Sequence, residues 1–186
     1  MNRVVDYIFQ KLKDYGVEYV FLVVGGAAMY LNDALKKSGI KYVCFHHEQA
    51  CAIAAEGYAR ASGKLGVVCV TSGPGGTNCL TGVLGQWTDS IPVLYLSGQV
   101  NQIKTGNLRQ LGDQEADIIS IVKPITKYAK MITKVEEITT ELPKAVETAL
   151  SGRFGPVWVD IPLWIQKSDC RGFSAQNKGI AVEVDR

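Results

Sequence analysis

Residues 45–60 read FHHEQACAIAAEGYAR, and they place one carboxylate, Glu48, between an apolar run and a nearly uncharged helix. Two readings of Glu48 stand on these residues alone. A carboxylate at a helix N-terminus is favoured by the macrodipole, worth about 0.3–1 kcal/mol, and that needs no function. The other reading is chemical: a partly buried carboxyl in apolar surroundings can hold or give a proton near neutral pH. Phe45 before it and the alanine-rich helix after it supply such surroundings. His46 and His47 are candidate acid–base groups or metal ligands. Adjacent side chains diverge at a strand end, so joint ligation of a metal is disfavoured; one histidine is expected to pack and the other to face the site.

Two further loops have the composition of a binding site. Gly25-Gly26-Ala27 follows the run VEYVFLVV, and TSGPGGTN occupies residues 71–78. The second is either a tight strand-to-helix connection or a cradle that presents backbone N–H groups to an anion. It is not a P-loop, because no lysine follows, and it does not match GxGxxG. Residues 99–114 form a polar, irregular stretch, long for a loop inside a domain; such loops are usually functional or disordered, and mobility is expected here. Tyr7, Tyr15, Tyr58, Trp87 and Trp158 sit at apolar positions and read mainly as core. Arg60 follows Glu56 by one helical turn and reads as an ion pair.

The elements that must position these loops alternate. Val4, Val5, Ile8, Phe9 and Leu12 recur at helical spacing, and Gly16 ends that helix. Strands are expected over 17–24, 40–45, 65–70, 91–98, 125–131 and 155–162. Helices are expected over 28–37, 47–62, 77–87, 115–122 and, opened by Thr133, 134–151. Several strands are continuous apolar runs. Alternating strands and helices with such runs imply a parallel sheet covered on both faces. Ligands in sheets of this kind bind at the carboxyl ends of the strands, where the three loops above fall. From residue 166 onward the chain turns polar and loses periodicity, so a domain over 1–165 and a linker or tail over 166–186 are expected.

The chain has 186 residues, 47% of them hydrophobic and 20% charged, with a net charge of +2. That composition suits one folded α/β domain and excludes disorder. No basic block suggests nucleic acid, and no apolar run is long enough to span a bilayer. Cys44, Cys51, Cys69, Cys79 and Cys170 form no CxxC pair and read as small core residues of a reducing compartment, so a cytoplasmic location is the default.

Three stretches together resemble one family. HHEQACAIAAEGYARASGKLGVVCVTSGPGGTN, the upstream VGGAAMYLNDAL and the downstream IPVLYLSGQV look like the N-terminal pyrimidine-binding domain of thiamine diphosphate enzymes, nearest to the acetolactate synthase branch. The resemblance runs from about residue 2 to 165. It implies a three-layer α/β/α sandwich with a six-stranded parallel sheet. It implies that Glu48 hydrogen-bonds the pyrimidine nitrogen N1′ of the cofactor, favouring the imino tautomer that deprotonates the thiazolium. It places Pro74 and Asn78 against the aminopyrimidine ring, and Gly25, Gly26 and Ala27 in a loop facing the reacting centre. Gln114 would reach the substrate side, and His47 matches the histidine before the glutamate; with Glu48 these form the implied catalytic set.

The resemblance implies a 2-keto-acid decarboxylase or carboligase. Mg²⁺ and the diphosphate would belong to a second domain, FAD being possible there, and a homodimer, a tetramer or a partner chain would complete the site. Two rivals are a complete small subunit of a split decarboxylase and a non-catalytic binding module. The sequence also departs from the family. Asp113 stands where acetolactate synthases usually carry phenylalanine, and a charge there argues against a small apolar keto-acid fragment. His46 replaces a usual arginine, GQWTDS differs around Trp87, and no GDG segment is present.

Overall fold

A computed structural model describes residues 3–101 and 109–173. Six strands form one parallel sheet: β1 (Tyr19–Leu22), β2 (Lys41–Cys44), β3 (Gly66–Val70), β4 (Val93–Gln99), β5 (Tyr128–Met131) and β6 (Val157–Pro162), in the order β2-β1-β3-β4-β6-β5. The three-layer α/β sandwich with a six-stranded parallel sheet is therefore the observed fold. The chain runs from β1 outward to β2, then crosses back to β3 on the other side of β1. That reversal opens a crevice at the carboxyl ends of β1 and β3.

The central strands are buried on both faces, which is why they read as unbroken apolar runs. Val67 and Cys69 of β3, Leu94 and Leu96 of β4, and Val157, Val159 and Ile161 of β6 point to one core. They meet α1 (Val4–Asp14), α2 (Met29–Ser38), α7 (Ile138–Leu150) and α8 (Leu163–Lys167) there. Val68, Val70, Val93, Tyr95 and Trp158 point to the opposite core, under α3 (Glu48–Ser62), α5 (Leu80–Asp89) and α6 (Ile118–Val122). A short α4 (Pro74–Thr77) opens the connection from β3 to α5. The edge strand β2 is exposed along its length.

The expected elements are present, with shifted ends. The helix expected over 77–87 begins at Leu80 as α5, because Pro74–Thr77 form a separate turn, α4, before it. The strand read over 17–24 stops at Leu22, since Val24 is exposed.

The boundary expected after residue 165 falls inside the packed fold. Gln166 is fully buried, Cys170 is buried, and the Phe173 ring meets Tyr7 edge-on at 5.7 Å. The Val4 N–H donates to the Ser168 carbonyl at 2.9 Å, and Arg3 bridges Asp169. A polar composition hid this docking, because the contacts are made by backbone groups and by isolated apolar residues. The rest of the expected tail, 174–186, lies outside the described residues. Among the described residues no helix is long and apolar enough to cross a membrane. All five cysteines are free thiols, and four are buried.

Candidate active site

Three connections converge at the crevice. After β1, Gly25 is extended (φ −170) and packs flat on Thr71, where a Cβ would collide. A single 3-10 turn, Gly26–Ala28, then leads into α2. After β3, Thr71 and Ser72 lead to Gly73, whose φ of +58 favours glycine, and Pro74 starts α4. The Thr71 Oγ1 accepts from the Ala27 N–H at 3.1 Å and so ties these two loops together.

The third connection is the end of the polar stretch. Residues 102–108, on which most of the expected mobility falls, lie outside the described residues. From Arg109 onward the backbone folds into a turn held by the Glu115 carboxylate, which accepts from the N–H groups of Leu111 (2.5 Å) and Gly112 (2.9 Å). Gln114 adopts a positive φ of 55, and its carbonyl rests on Gly73, where any Cβ would collide with it. The Gln99 Nε2 donates to the Ala116 carbonyl and to Asp160 Oδ2, both at 2.9 Å, anchoring this turn to the sheet.

The loops enclose a cavity of about 410 Å³. Gly26, Ala27, Thr71, Ser72, Asp113 and Gln114 form its polar side. Met29, Val100, Leu111 and Leu163 form an apolar side. Of the implied site residues, Gly26, Ala27 and Gln114 are thus brought together here.

Glu48 stands beside this cavity, as the first residue of α3, half-buried. The Asn78 Nδ2 donates to Glu48 Oε2 at 2.9 Å. Its other oxygen, Oε1, is left on the side of Gly75: a Cβ there would lie 3.8 Å from Oε1 and 2.7 Å from the Thr71 methyl. A glycine at 75 thus keeps the ground between the carboxylate and Thr71 open. Pro74 is exposed at the start of α4. Behind Glu48 the Cys51 thiol is pushed up to about 12, first by burial and then by the Glu48 charge, and Cys79 is raised by burial and then by its neighbours Cys51 and Glu48. Both remain thiols and serve as packing.

The histidines fall elsewhere. His46 and His47 are both exposed, so neither packs, and neither lines the cavity. His47 is instead the N-cap of α3: its Nδ1 accepts from the Gln49 N–H at 3.2 Å. Arg60 pairs with Glu56 at 2.8 Å, as its spacing indicates, and with Asp89 at 2.5 Å.

Thr71 and Ser72 lie in the 71–78 loop singled out in the sequence but had no role of their own there, while Gln99, Asp160 and Gln166 were missed. Gln99 carried a signal, being the polar residue that ends the otherwise apolar strand β4. Asp160 is fully buried, and burial pushes its carboxyl up to about 6 against hydrogen bonds from Ser97 and Gln99 that lower it. Among the described residues no cluster of three or more His, Cys, Asp or Glu side chains could hold a metal ion. What the arrangement offers is a carboxylate with one oxygen free among the described residues, an amide beside it, a glycine-lined gap, and a nearby cavity of small-molecule size.

Comparison with known proteins bears on this geometry. The family described as "Thiamine pyrophosphate enzyme, N-terminal TPP binding domain" matches residues 2–121. The acetolactate synthase large subunit of Haemophilus influenzae is 45% identical over 158 residues, covering 84% of this chain and 27% of that protein. The Escherichia coli K12 acetolactate synthase isozyme 3 large subunit is 44% identical over 194 residues, covering 97% of this chain and 33% of its own length. The Lactococcus lactis large subunit is 44% identical over 156 residues, or 83% of this chain and 27% of that one. The chain spans about a third or less of the length of these relatives.

Proposed function

Because this chain belongs to the thiamine pyrophosphate enzymes, as their N-terminal cofactor-binding domain, we propose that it forms the pyrimidine half of the cofactor site in a 2-keto-acid decarboxylase or carboligase of acetolactate synthase type. The observation that carries this reading is the Glu48–Asn78 pair beside the Gly73–Gly76 turn. Thiamine diphosphate, when bound, supplies an acidic carbon that adds to a keto group and an electron sink for loss of CO₂.

The residues present fit the ring end of that cofactor. Glu48 would hold a proton at the ring nitrogen through the oxygen that Asn78 leaves unoccupied. Asn78 fixes the carboxylate, and its hydrogen bond ties the start of α3 to the end of α4. Pro74 would offer an apolar surface to the ring, and Gly75 leaves room for it. Gly25, Gly26 and Ala27 would border the reacting centre, with Gln114 on the substrate side of the same cavity. The described residues do not present a metal site. The diphosphate and its Mg²⁺ would be held by another domain or subunit, with FAD, where used, also there. A homodimer, tetramer or partner chain would cover the half-exposed Glu48. The free thiols agree with a cytoplasmic location, and the reaction class is transfer or lysis of a carbon–carbon bond. His47 enters this reading as the cap that sets the direction of α3 rather than as a proton carrier.

The test is CO₂ release by the full-length protein from a panel of 2-keto acids, with thiamine diphosphate and Mg²⁺. Glu48→Gln should lower it about 10²-fold or more. Failure to release CO₂ from any 2-keto acid would overturn the reading.

A further inference from the structure

The peptide of Ala27 is held from three sides by residues distant in sequence. Its N–H donates to Thr71 Oγ1 at 3.1 Å. Its carbonyl accepts from Gln166 Nε2 at 2.6 Å. The third side is β4: a Cβ at Gly98 would run into the Ala27 carbonyl and come within 2.7 Å of the Ala28 nitrogen. The same Gln166 Nε2 also donates to the Ile161 carbonyl at 2.7 Å, so one amide joins the Ala27 loop to the end of β6.

The orientation of this amide follows from its surroundings. Two carbonyls face it, and only the NH₂ end can bond both. The consequence is that Gln166 Oε1 is buried with no hydrogen-bond partner among the described residues. A buried acceptor without a partner is destabilising, and a methionine of similar volume would avoid it only by taking this donor from the Ala27 and Ile161 carbonyls. Gln166 is fully buried and does not line the cavity. Packing alone does not account for a glutamine at this place.

We propose that Gln166 is a positioning residue for the cavity: its amide ties back the Ala27 carbonyl and so fixes where Gly26 and Ala27 stand in the wall. This inference rests on the reading of that cavity as the place where an anionic 2-keto acid binds. With both polar groups of Ala27 taken up by Thr71 and Gln166, that residue places no unpaired carbonyl in the cavity wall. A free carbonyl in that wall would repel a substrate carboxylate. Gly98 acts with Gln166 by letting the carbonyl lie against the strand.

The experiment uses the full-length protein and two readouts. The first is hydrogen exchange of the amides of residues 26–28, compared with the amides of β4 as a reference for global opening. The second is steady-state kinetics on a 2-keto acid well below the unfolding temperature. Gln166→Met should speed exchange at residues 26–28 about 10-fold or more with β4 unchanged, and should raise KM about 10-fold with a smaller change in kcat. Should Gln166→Met fail to fold, Thr71→Val attacks the same peptide from its other end and should speed exchange at residues 26–28 in the same way, with β4 unchanged. Unchanged exchange at residues 26–28, a change equal at β4, or an unchanged KM would overturn the proposal. If the protein turns over no 2-keto acid, the functional reading fails, and the exchange arm still decides whether Gln166 holds Ala27.

Discussion

The two faces of the sheet are packed by different rules. Under α1, α2 and α7 the core is made of large aliphatic and aromatic side chains, among them Ile8, Phe9, Leu12, Leu31 and Leu142. On the opposite face the residues that α3 and the start of α5 contribute are small: Cys51, Ala52, Ala55, Cys79 and Val83. These small side chains let α3 and α5 approach until Gly82 lies directly on Ala52, where no Cβ would fit. The second face also carries buried polar groups. Tyr95 donates to Gln86 Oε1 at 2.8 Å, and Gln86 donates to the Ala52 carbonyl at 2.9 Å. Trp158, stacked on Tyr95 at 4.7 Å, donates to Ser97 Oγ, which in turn donates to Asp160 at 2.5 Å. The first face supplies apolar burial. The second fixes the depth and direction of α3, and through them the place of Glu48.

The sharpest way to break this contrast is a large deletion in the aliphatic face. Leu142→Ala should lower the unfolding free energy by about 2–5 kcal/mol, measured by denaturant titration. Affinity for thiamine diphosphate in the full-length protein should stay unchanged at temperatures where the variant is folded.

The polar face should answer to pH instead. Asp160 holds its proton to about 6 in the fold, against an ordinary value of 3.8. The folded state therefore binds the proton more tightly, and the contribution is full below pH 3.8, declines as pH rises toward 6, and is gone above it. That interval corresponds to about 3 kcal/mol. Asp160→Asn should flatten the fall in stability between pH 4 and 6, as read by melting temperature across that range.

A smaller effect on stability, but a larger one on function, is expected at the α3–α5 contact. Gly82→Ala should cost about 1–3 kcal/mol by overpacking. It should also lower cofactor-dependent turnover, because α3 must shift and carry Glu48 with it. Loss of stability with unchanged turnover would show that the two faces do not differ in the way described.

The smallest effect concerns Asp113, which puts a carboxylate in the cavity wall. Asp113→Leu should improve kcat/KM for 2-keto acids with plain alkyl chains over hydroxylated ones by about 10-fold, the scale of one polar contact.

The sequence revealed the layered fold because every central strand is buried on both faces and so reads as an unbroken apolar run. Leu94, Tyr95 and Leu96 are an example. The exposed edge strand β2 was found through its β-branched and aromatic residues and the helices on either side. The site was less legible. Glu48 has the same residue type and place whether it serves a helix dipole or a cofactor, and only the wider resemblance separated the two readings. Gln166 and Asp160 were hidden for another reason. A polar side chain near a strand end looks like the start of a loop until the neighbouring strand and helix are in place around it. His47 shows the converse, since its residue type suggests chemistry while its ring caps a helix.

The most direct test of the central claim, that Glu48 acts on the bound cofactor, is deuterium exchange at C2 of thiamine diphosphate in the full-length protein, with and without Glu48→Gln. Exchange in the wild type should exceed that of free cofactor by about 10²-fold or more, and Glu48→Gln should remove most of that gain. Exchange in the wild type no faster than in free cofactor, or equal in the two proteins, would contradict it.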